Sequence, residues 1–135
     1  MKQFLLSCAF FFLATWAFAQ TPEEKSTFLT NQMTPLLSLS TTQVEQVTSI
    51  NVRRFKFESN AKTRLAANQR YANAKADNFQ SPVGQAILTE VNTRLETAEG
   101  RYDSLLRKVL DDSQYALYLQ SKESLLIAVV NEFGE

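Results

Sequence analysis

The chain has 135 residues, with 14 basic and 14 acidic side chains, no histidine and one cysteine. That cysteine, Cys8, lies in the N-terminal apolar segment, so the rest of the chain offers no thiol nucleophile and no disulfide. Because histidine is also absent, the rest of the chain offers no imidazole base and no ordinary Cys/His zinc site. No glycine-rich phosphate loop or Gly-x-Ser-x-Gly turn is present either. We therefore expect a protein that is not an enzyme and that holds no metal and no cofactor.

Residues 1–19 are predicted to be a cleaved secretory signal peptide. One positive charge precedes a long apolar stretch, and Ala17-Phe18-Ala19 has the small-x-small form of a signal-peptidase site. We expect cleavage after Ala19, a periplasmic or secreted protein without a stable membrane span, and a single helical domain over residues 20–135. An uncleaved membrane anchor is the alternative.

Two helices are predicted in the first half of this domain. The first begins after Thr21, a capping residue followed by Pro22 at the first helical position, and ends or kinks before Pro35. The second begins at Ser40 and is expected to continue to about Phe79, because no glycine or proline interrupts it. At about 1.5 Å per residue this helix approaches a length of about 60 Å.

Two more helices are predicted in the second half. A turn at residues 78–82 leads into the third helix, which is capped by Ser81 and runs to about Val109. Its apolar residues alternate spacings of three and four, a coiled-coil seam that predicts the second helix as its antiparallel neighbour. The fourth helix, from Asp111 to about Phe133, has a broad apolar face. The sequence thus predicts an all-α fold of four helices with a long antiparallel central hairpin. The seam residues are Leu88, Val91, Leu95, Ala98, Tyr102, Leu105 and Val109.

Two similar phrases open the second and fourth helices. Leu39-Ser40-Thr41-Thr42-Gln43 and Leu110-Asp111-Asp112-Ser113-Gln114 both place a capping residue three positions before a glutamine. In such a capping box the cap side chain accepts a hydrogen bond from an unpaired backbone N–H, and the glutamine reaches back to the N–H of the cap. The residues assigned to this structural role are Leu39, Ser40, Gln43, Leu110, Asp111 and Gln114.

These phrases resemble the LTxxQ motif of the Spy and CpxP family of periplasmic helical proteins, with Ser40 and Asp111 where the family has threonine. The stretch from Thr21 to Asn51 is also similar to small secreted proteins of this type from Bacteroidetes-like bacteria. The resemblance implies a stress-induced, ATP-independent chaperone or a sensor partner. It also implies an antiparallel homodimer that forms a curved cradle with a basic concave side.

The charge of the second predicted helix is lopsided. Residues 53–75 contain seven basic side chains and a single acid, whereas acids outnumber bases over residues 90–135. Arg53, Arg64 and Lys75 recur every eleven residues, so they share one side of a continuous helix with two aromatic residues. This basic side is either a solvated helix face or a surface that binds unfolded segments of other proteins.

Two phenylalanines accompany the basic side chains. Phe55 and Phe57 point about 160° apart on a helix, so at least one of them is expected to be partly exposed or to contact another chain. Phosphate and base contacts of a nucleic acid would also suit this segment, but the predicted export argues against that partner. The candidate client-binding residues are Arg53, Phe55, Phe57, Arg64, Tyr71 and Lys75.

The sequence therefore favours a homodimeric periplasmic chaperone, or an envelope stress-response accessory protein, that binds unfolded or partner proteins. The alternative is a non-catalytic helical-hairpin protein that docks one defined envelope partner. A chaperone would act on several unrelated denatured proteins, whereas a dedicated adaptor would bind a single species.

Overall fold

The computed structural model describes residues 21–134, which form helices joined by short turns. No strand occurs in this range, so the predicted all-α class is confirmed. No helix in this range is long and apolar enough to cross a membrane. The predicted signal peptide of residues 1–19 lies outside the described residues. The five helices are α1 (Pro22–Leu37), α2 (Thr41–Ala67), α3 (Gln69–Ala76), α4 (Pro82–Val109) and α5 (Asp112–Phe133).

Four of the helices begin at the capping residues that the sequence indicates. Thr21, Ser40 and Ser81 each accept a hydrogen bond from the backbone N–H three residues later. Asp111 does the same at the start of α5. Such a side chain satisfies one of the N–H groups that the first helical turn leaves unpaired. These four predicted starts are confirmed.

The sequence predicts that the first helix ends or kinks before Pro35, and the first of these outcomes does not occur. Instead α1 continues to Leu37 and is closed by Ser38, whose backbone is left-handed at φ 53° and ψ 50°. Pro35 has no N–H and therefore cannot bond to the carbonyl of Asn31. Both residues are exposed, so water can take the place of that hydrogen bond.

The second predicted helix is broken at Asn68. α2 ends at Ala67, and Asn68 is extended at φ −87° and ψ 109°. Its side chain accepts a hydrogen bond from the N–H of Tyr71 at 3.1 Å and so caps α3. The expectation of one continuous helix from Ser40 to about Phe79 is therefore wrong, and residues 21–134 form five helices rather than four. Asparagine competes for backbone hydrogen bonds in this way, which is why it favours helix caps.

The hydrophobic core draws on two parts of the chain, residues 21–56 and 98–134, which we call the base. In the base α1 packs against α2 and α5, and α4 packs against α2. Burying an aliphatic or aromatic side chain of this kind stabilises a fold by roughly 1.5–3 kcal/mol. The core residues are Leu29, Met33, Leu37, Val47, Ile50, Phe55, Ala98, Tyr102, Leu106, Leu110, Tyr118, Leu125 and Val129.

The interface between α1 and α2 also buries polar groups. The Asn51 side chain is 1% exposed and donates a hydrogen bond to Oγ1 of Thr30 at 3.0 Å. Ser26 is fully buried and donates to the carbonyl of Thr48 at 2.8 Å. Because each of these buried donors has a partner, the polar stripe of α2 can face the core without a large desolvation penalty.

Residues 57–97 form a second region, which we call the arm: the end of α2, all of α3 and the start of α4. Ala74 and Gly84 are the only buried residues in this range. A Cβ atom on Gly84 would lie 3.1 Å from the Cα of Phe79, so glycine allows the turn to approach α4 closely. The arm therefore extends from the base with almost no core of its own.

The predicted seam of α4 is packed in the base and open in the arm. Ala98 and Tyr102 are buried, whereas Leu88 is 36% exposed and Leu95 is 42% exposed. Residues 61–76, which belong to α2 and α3, contain six alanines. Such short side chains do not cover a leucine on a neighbouring helix, which explains why the seam is buried over only part of its length.

Candidate functional site

The two predicted capping boxes are both formed, and their glutamines contact each other. Nε2 of Gln43 donates to Oε1 of Gln114 at 2.8 Å, and Nε2 of Gln114 donates to Oε1 of Gln43 at 3.0 Å. Each Oε1 also accepts the N–H of its own cap residue at 3.0 Å, from Ser40 in one box and Asp111 in the other. The turn between α1 and α2 is thereby joined to the turn between α4 and α5.

The remaining amide hydrogen of each glutamine closes the end of a helix at the opposite corner. Gln43 donates to the carbonyl of Val109 in α4, and Gln114 donates to the carbonyl of Leu37 in α1, both at 3.1 Å. All four hydrogen-bonding positions of each side-chain amide are thus occupied. We call this pair the glutamine bridge; its groups are fully used within the fold, which makes it structural.

A cluster of charged groups lies between α2, α4 and α5. Arg54 is 5% exposed and pairs with Glu99. Nζ of Lys122 lies 2.9 Å from Oε2 of Glu99 and donates to both carboxylate oxygens of Asp103, at 3.0 and 2.9 Å. The hydroxyl of Tyr118 donates to the same Asp103 at 2.9 Å. Two cations balance two carboxylates, so the charges of this ionic cluster are neutralised within the base.

Burial and pairing shift the pKa of two side chains in this cluster, Tyr118 and Lys122. Burial raises the pKa of Tyr118, and the negative charge of Asp103 raises it further against the opposing charge of Arg54. For Lys122 burial disfavours the charged form, but the hydrogen bonds that its ammonium group donates to Asp103 and Glu99 outweigh this effect, so the pKa is raised. The lysine therefore stays charged and the tyrosine neutral at neutral pH, and neither is poised for acid–base chemistry.

The candidate client-binding residues fall on two different surfaces. Arg53, Phe57 and Arg64 lie on an exposed side of α2, where the Phe57 side chain is 42% exposed. Among the described residues, neither arginine has a carboxylate partner for its guanidinium group. We call these three residues the outer strip. It combines two unpaired cations with one exposed aromatic ring.

Tyr71 and Lys75 do not join the outer strip. The break at Asn68 ends the helical register that would have aligned Lys75 with Arg64. Both residues instead line a cleft of about 680 Å³ whose walls are α2, α3 and the C-terminal half of α5.

Phe55 lies in the core and not on either exposed surface. Its side chain is 4% exposed and forms part of the floor of the cleft. Phe55 can therefore meet a client only through the small part of its side chain that lines the cleft, and its role in client binding stays a prediction. The expectation that at least one of the two phenylalanines is exposed is confirmed by Phe57.

The cleft also has apolar walls, and the sequence of the second predicted helix alone does not predict them. α2 contributes Leu65, and α5 contributes Leu126, Val129 and Val130. Val130 is 44% exposed, and Leu65 and Leu126 are half-buried. The broad apolar face of α5 was the sequence signal for this wall, because the core uses only part of that face.

Three lysines from three helices lie around the same cleft. Lys62 pairs with Glu58 at 3.0 Å, and Nζ of Lys25 lies 6.0 Å from the centre of the Phe55 ring. Within residues 21–134, neither Lys25 nor Lys75 forms an ion pair with a carboxylate. The cleft therefore combines apolar walls with two ammonium groups that the fold itself does not neutralise.

This arrangement defines a small all-helical protein whose candidate site is a cationic and apolar cleft. No group of three or more acidic, histidine or cysteine side chains within residues 21–134 is placed to hold a metal ion. The chain belongs to the protein family described as Domain of unknown function (DUF4890), whose sequence model covers residues 16–118, more than half of the chain. No curated protein and no solved structure gives a significant match.

Proposed function

We propose that this protein binds exposed segments of unfolded or partner proteins in the bacterial envelope without ATP, as a periplasmic chaperone or a stress-response accessory protein. The observation that carries the proposal is that cations without an ion pair among the described residues lie beside exposed apolar side chains on two surfaces. Arg53 and Arg64 accompany Phe57 on the outer strip, and Lys25 and Lys75 flank the apolar walls of the cleft.

Such a surface is suited to weak and sequence-tolerant binding. Unpaired cations attract acidic segments over about 8–10 Å at physiological ionic strength. Exposed apolar side chains such as Phe57 and Val130 then gain from contact with the apolar residues of an unfolded chain. Because no bond or proton needs to move, binding of this kind requires neither a cofactor nor a nucleotide.

The resemblance to the Spy and CpxP family supports the same proposal. Both LTxxQ-like motifs form capping boxes, and they join the corners of two helix pairs. Contacts between α2 and α4 run in antiparallel order, since Gln43 bonds to Val109 and Arg54 pairs with Glu99. We therefore include in the proposal a helical hairpin of the Spy and CpxP type, a homodimer, and export by a signal peptide cleaved after Ala19.

A second candidate function is the docking of one defined envelope partner. One observation favours it: the unpaired lysines and apolar walls converge on a single cleft rather than spreading over a whole face. A dedicated partner would fill this cleft with one matched segment. The two functions differ in the number of proteins bound, and one experiment separates them.

The experiment measures light scattering by several unrelated denatured proteins at near-stoichiometric amounts of the exported protein. We expect suppressed aggregation for most of them, and clearly weaker suppression by the double variant Arg53→Glu with Arg64→Glu. The matched control is Arg101→Glu with Lys108→Glu, two exposed residues that change the net charge equally without altering the outer strip or the cleft. Circular dichroism checks that helicity is unchanged in both variants.

Two other results would decide against a general chaperone. Capture of a single envelope species without suppression would establish the dedicated partner instead. Failure to suppress aggregation together with failure to retain any envelope protein would remove both functions. Equal loss of suppression in the control variant would show that net charge, and not the outer strip, governs binding.

A further inference from the structure

We propose that the cleft binds an amphipathic helical segment of a client, with an apolar face of about three turns and a carboxylate near each end of it. This inference rests on the proposed function and names the class of segment that the cleft selects. The juxtaposition that supports it is an apolar groove between helices whose lining includes two lysines, Lys25 and Lys75, that form no ion pair among the described residues.

The apolar walls are suited to a helix lying between α2 and α5. Leu65 of α2 and Leu126 of α5 are half-buried, and Val130 is 44% exposed. In the base the faces of α2 and α5 are covered by α1 and α4, whereas these three side chains keep part of their surface exposed. An additional helix would bury them as the neighbouring helices bury the core.

The positions of the two lysines set the length and charge of the segment. Lys25 lies beside Phe55, and Lys75 belongs to α3, beyond the C-terminal end of α2. The cleft residues of α2 extend from Arg54 to Ala66, which corresponds to about 18 Å of helix at 1.5 Å per residue. An apolar helical face of about three turns would span this stretch, and acidic residues that flank the face would meet the ammonium groups of Lys25 and Lys75, which line the same cleft.

The backbone around the cleft favours a helix over an extended strand. The walls are helices, whose N–H and C=O groups are used within each helix, so they offer no edge for strand pairing. A lipid chain is also less well suited, because small-ligand sites enclose about 70–90% of their ligand. Here Lys75 and Val130 are exposed, so the groove is open to solvent along one side.

The test uses three labelled peptides of about 15 residues, a length at which an isolated helix is marginal in water. The first has an apolar helical face with a glutamate at each end, the second has lysines in place of the glutamates, and the third is a scramble of the first. Fluorescence anisotropy measures affinity at low and at physiological salt, and circular dichroism measures helix gained on binding. We expect the acidic peptide to bind at least about tenfold more tightly than the other two.

Charge exchange locates the binding site. The double variant Lys25→Glu with Lys75→Glu should weaken binding of the acidic peptide by about tenfold or more and should bind the lysine peptide instead. The control with Arg101→Glu and Lys108→Glu should bind the acidic peptide as the unmodified protein does. The gain of binding to the lysine peptide cannot arise from misfolding, so it keeps the test decisive even if the variant is less stable.

Several outcomes would overturn the inference. These are equal binding of all three peptides, binding without gain of helix, or loss of binding only when Arg53 and Arg64 are reversed. Preferential binding of phosphatidylglycerol vesicles through Lys25 and Lys75 would assign the cleft to lipid. A dimer that dissociates in the lysine double variant would assign it to a second copy of the chain. In each case the aggregation assay decides separately whether the proposed chaperone function stands.

Discussion

The packed interior of the base pairs its charges, whereas the cleft and the outer strip present cations that form no ion pair among the described residues. In the base, Arg54 and Lys122 are neutralised by Glu99 and Asp103. By contrast, no ion pair is formed by Lys75 of the arm among the residues that the structure describes. The comparison separates polar groups that hold the fold together from polar groups that are available to other molecules.

The apolar side chains follow the same division. Every member of the core cluster lies in the base, and the arm has only Ala74 and Gly84 buried. Leu88 and Leu95 continue the seam of α4 into the arm but keep a third or more of their surface exposed. The base therefore supplies most of the stability, and substitutions in the arm should change binding more than folding.

The largest expected effect on the free energy of unfolding comes from replacing a leucine of α4 in the base by alanine, compared with the same replacement of a leucine of α4 in the arm. Leu106 is 1% exposed, and replacing it by alanine should destabilise the protein by about 2–5 kcal/mol through lost burial and the cavity left behind. Leu95 is 42% exposed, and the same replacement should destabilise it by less than about 1 kcal/mol. Urea unfolding measures both. Equal losses would show that the arm is packed as firmly as the base.

A smaller effect is expected from neighbouring arginines on α2. Replacing Arg54 by methionine leaves Glu99 with only Lys122, and should destabilise the protein by about 2 kcal/mol, less than for an isolated buried pair. Replacing Arg53 by methionine should change the free energy of unfolding by no more than about 0.5 kcal/mol. If the two variants are equally stable, the ionic cluster does not secure the base.

The glutamine bridge should contribute about 1–2 kcal/mol for each side chain removed. Because Gln43 and Gln114 bond to each other, the losses in Gln43→Ala and Gln114→Ala should not add in the double variant. A double-mutant cycle in urea should give a coupling energy of at least about 0.5 kcal/mol. Additive losses would mean that the two capping boxes stabilise their helices independently.

The smallest expected effect is a pH dependence that originates in the base. The raised pKa of Tyr118 means that the folded protein retains this proton at a pH where the unfolded chain, whose tyrosine pKa is about 10, loses it. Stability from this group is therefore complete below about pH 10 and decreases as the pH rises above it. Between about pH 9 and pH 11 the unmodified protein should lose about 1 kcal/mol more than Tyr118→Phe. Identical pH dependence would exclude Tyr118 as the cause.

The helix starts could be predicted from sequence because the signals that set them are local. Ser40 and Asp111 act on backbone groups three residues away, and proline at a first helical position marks its own helix. The break at Asn68 was missed, since helix propensity in that stretch is high and asparagine is tolerated inside many helices. A local sequence pattern also could not predict the contact between Gln43 and Gln114, because 71 positions separate these residues in the chain.

The candidate site was predicted less completely, for a related reason. Arg53, Phe57 and Arg64 lie on one continuous part of α2, so their shared exposure follows from the helical period. Tyr71 and Lys75 were assigned to the same strip through a register that Asn68 interrupts. Lys25 and the wall from α5 come from distant parts of the chain, and their approach to α2 depends on how whole helices pack.

Native-state hydrogen exchange, with and without the acidic peptide, tests the division between base and arm most directly. We expect amides of α1, α5 and residues 98–109 to exchange only through global unfolding, and residues 57–97 to exchange through smaller local openings. Added peptide should slow exchange most in residues 57–75, the part of the cleft walls that belongs to the arm. Uniform protection of base and arm, or peptide-induced protection confined to the base, would contradict the account.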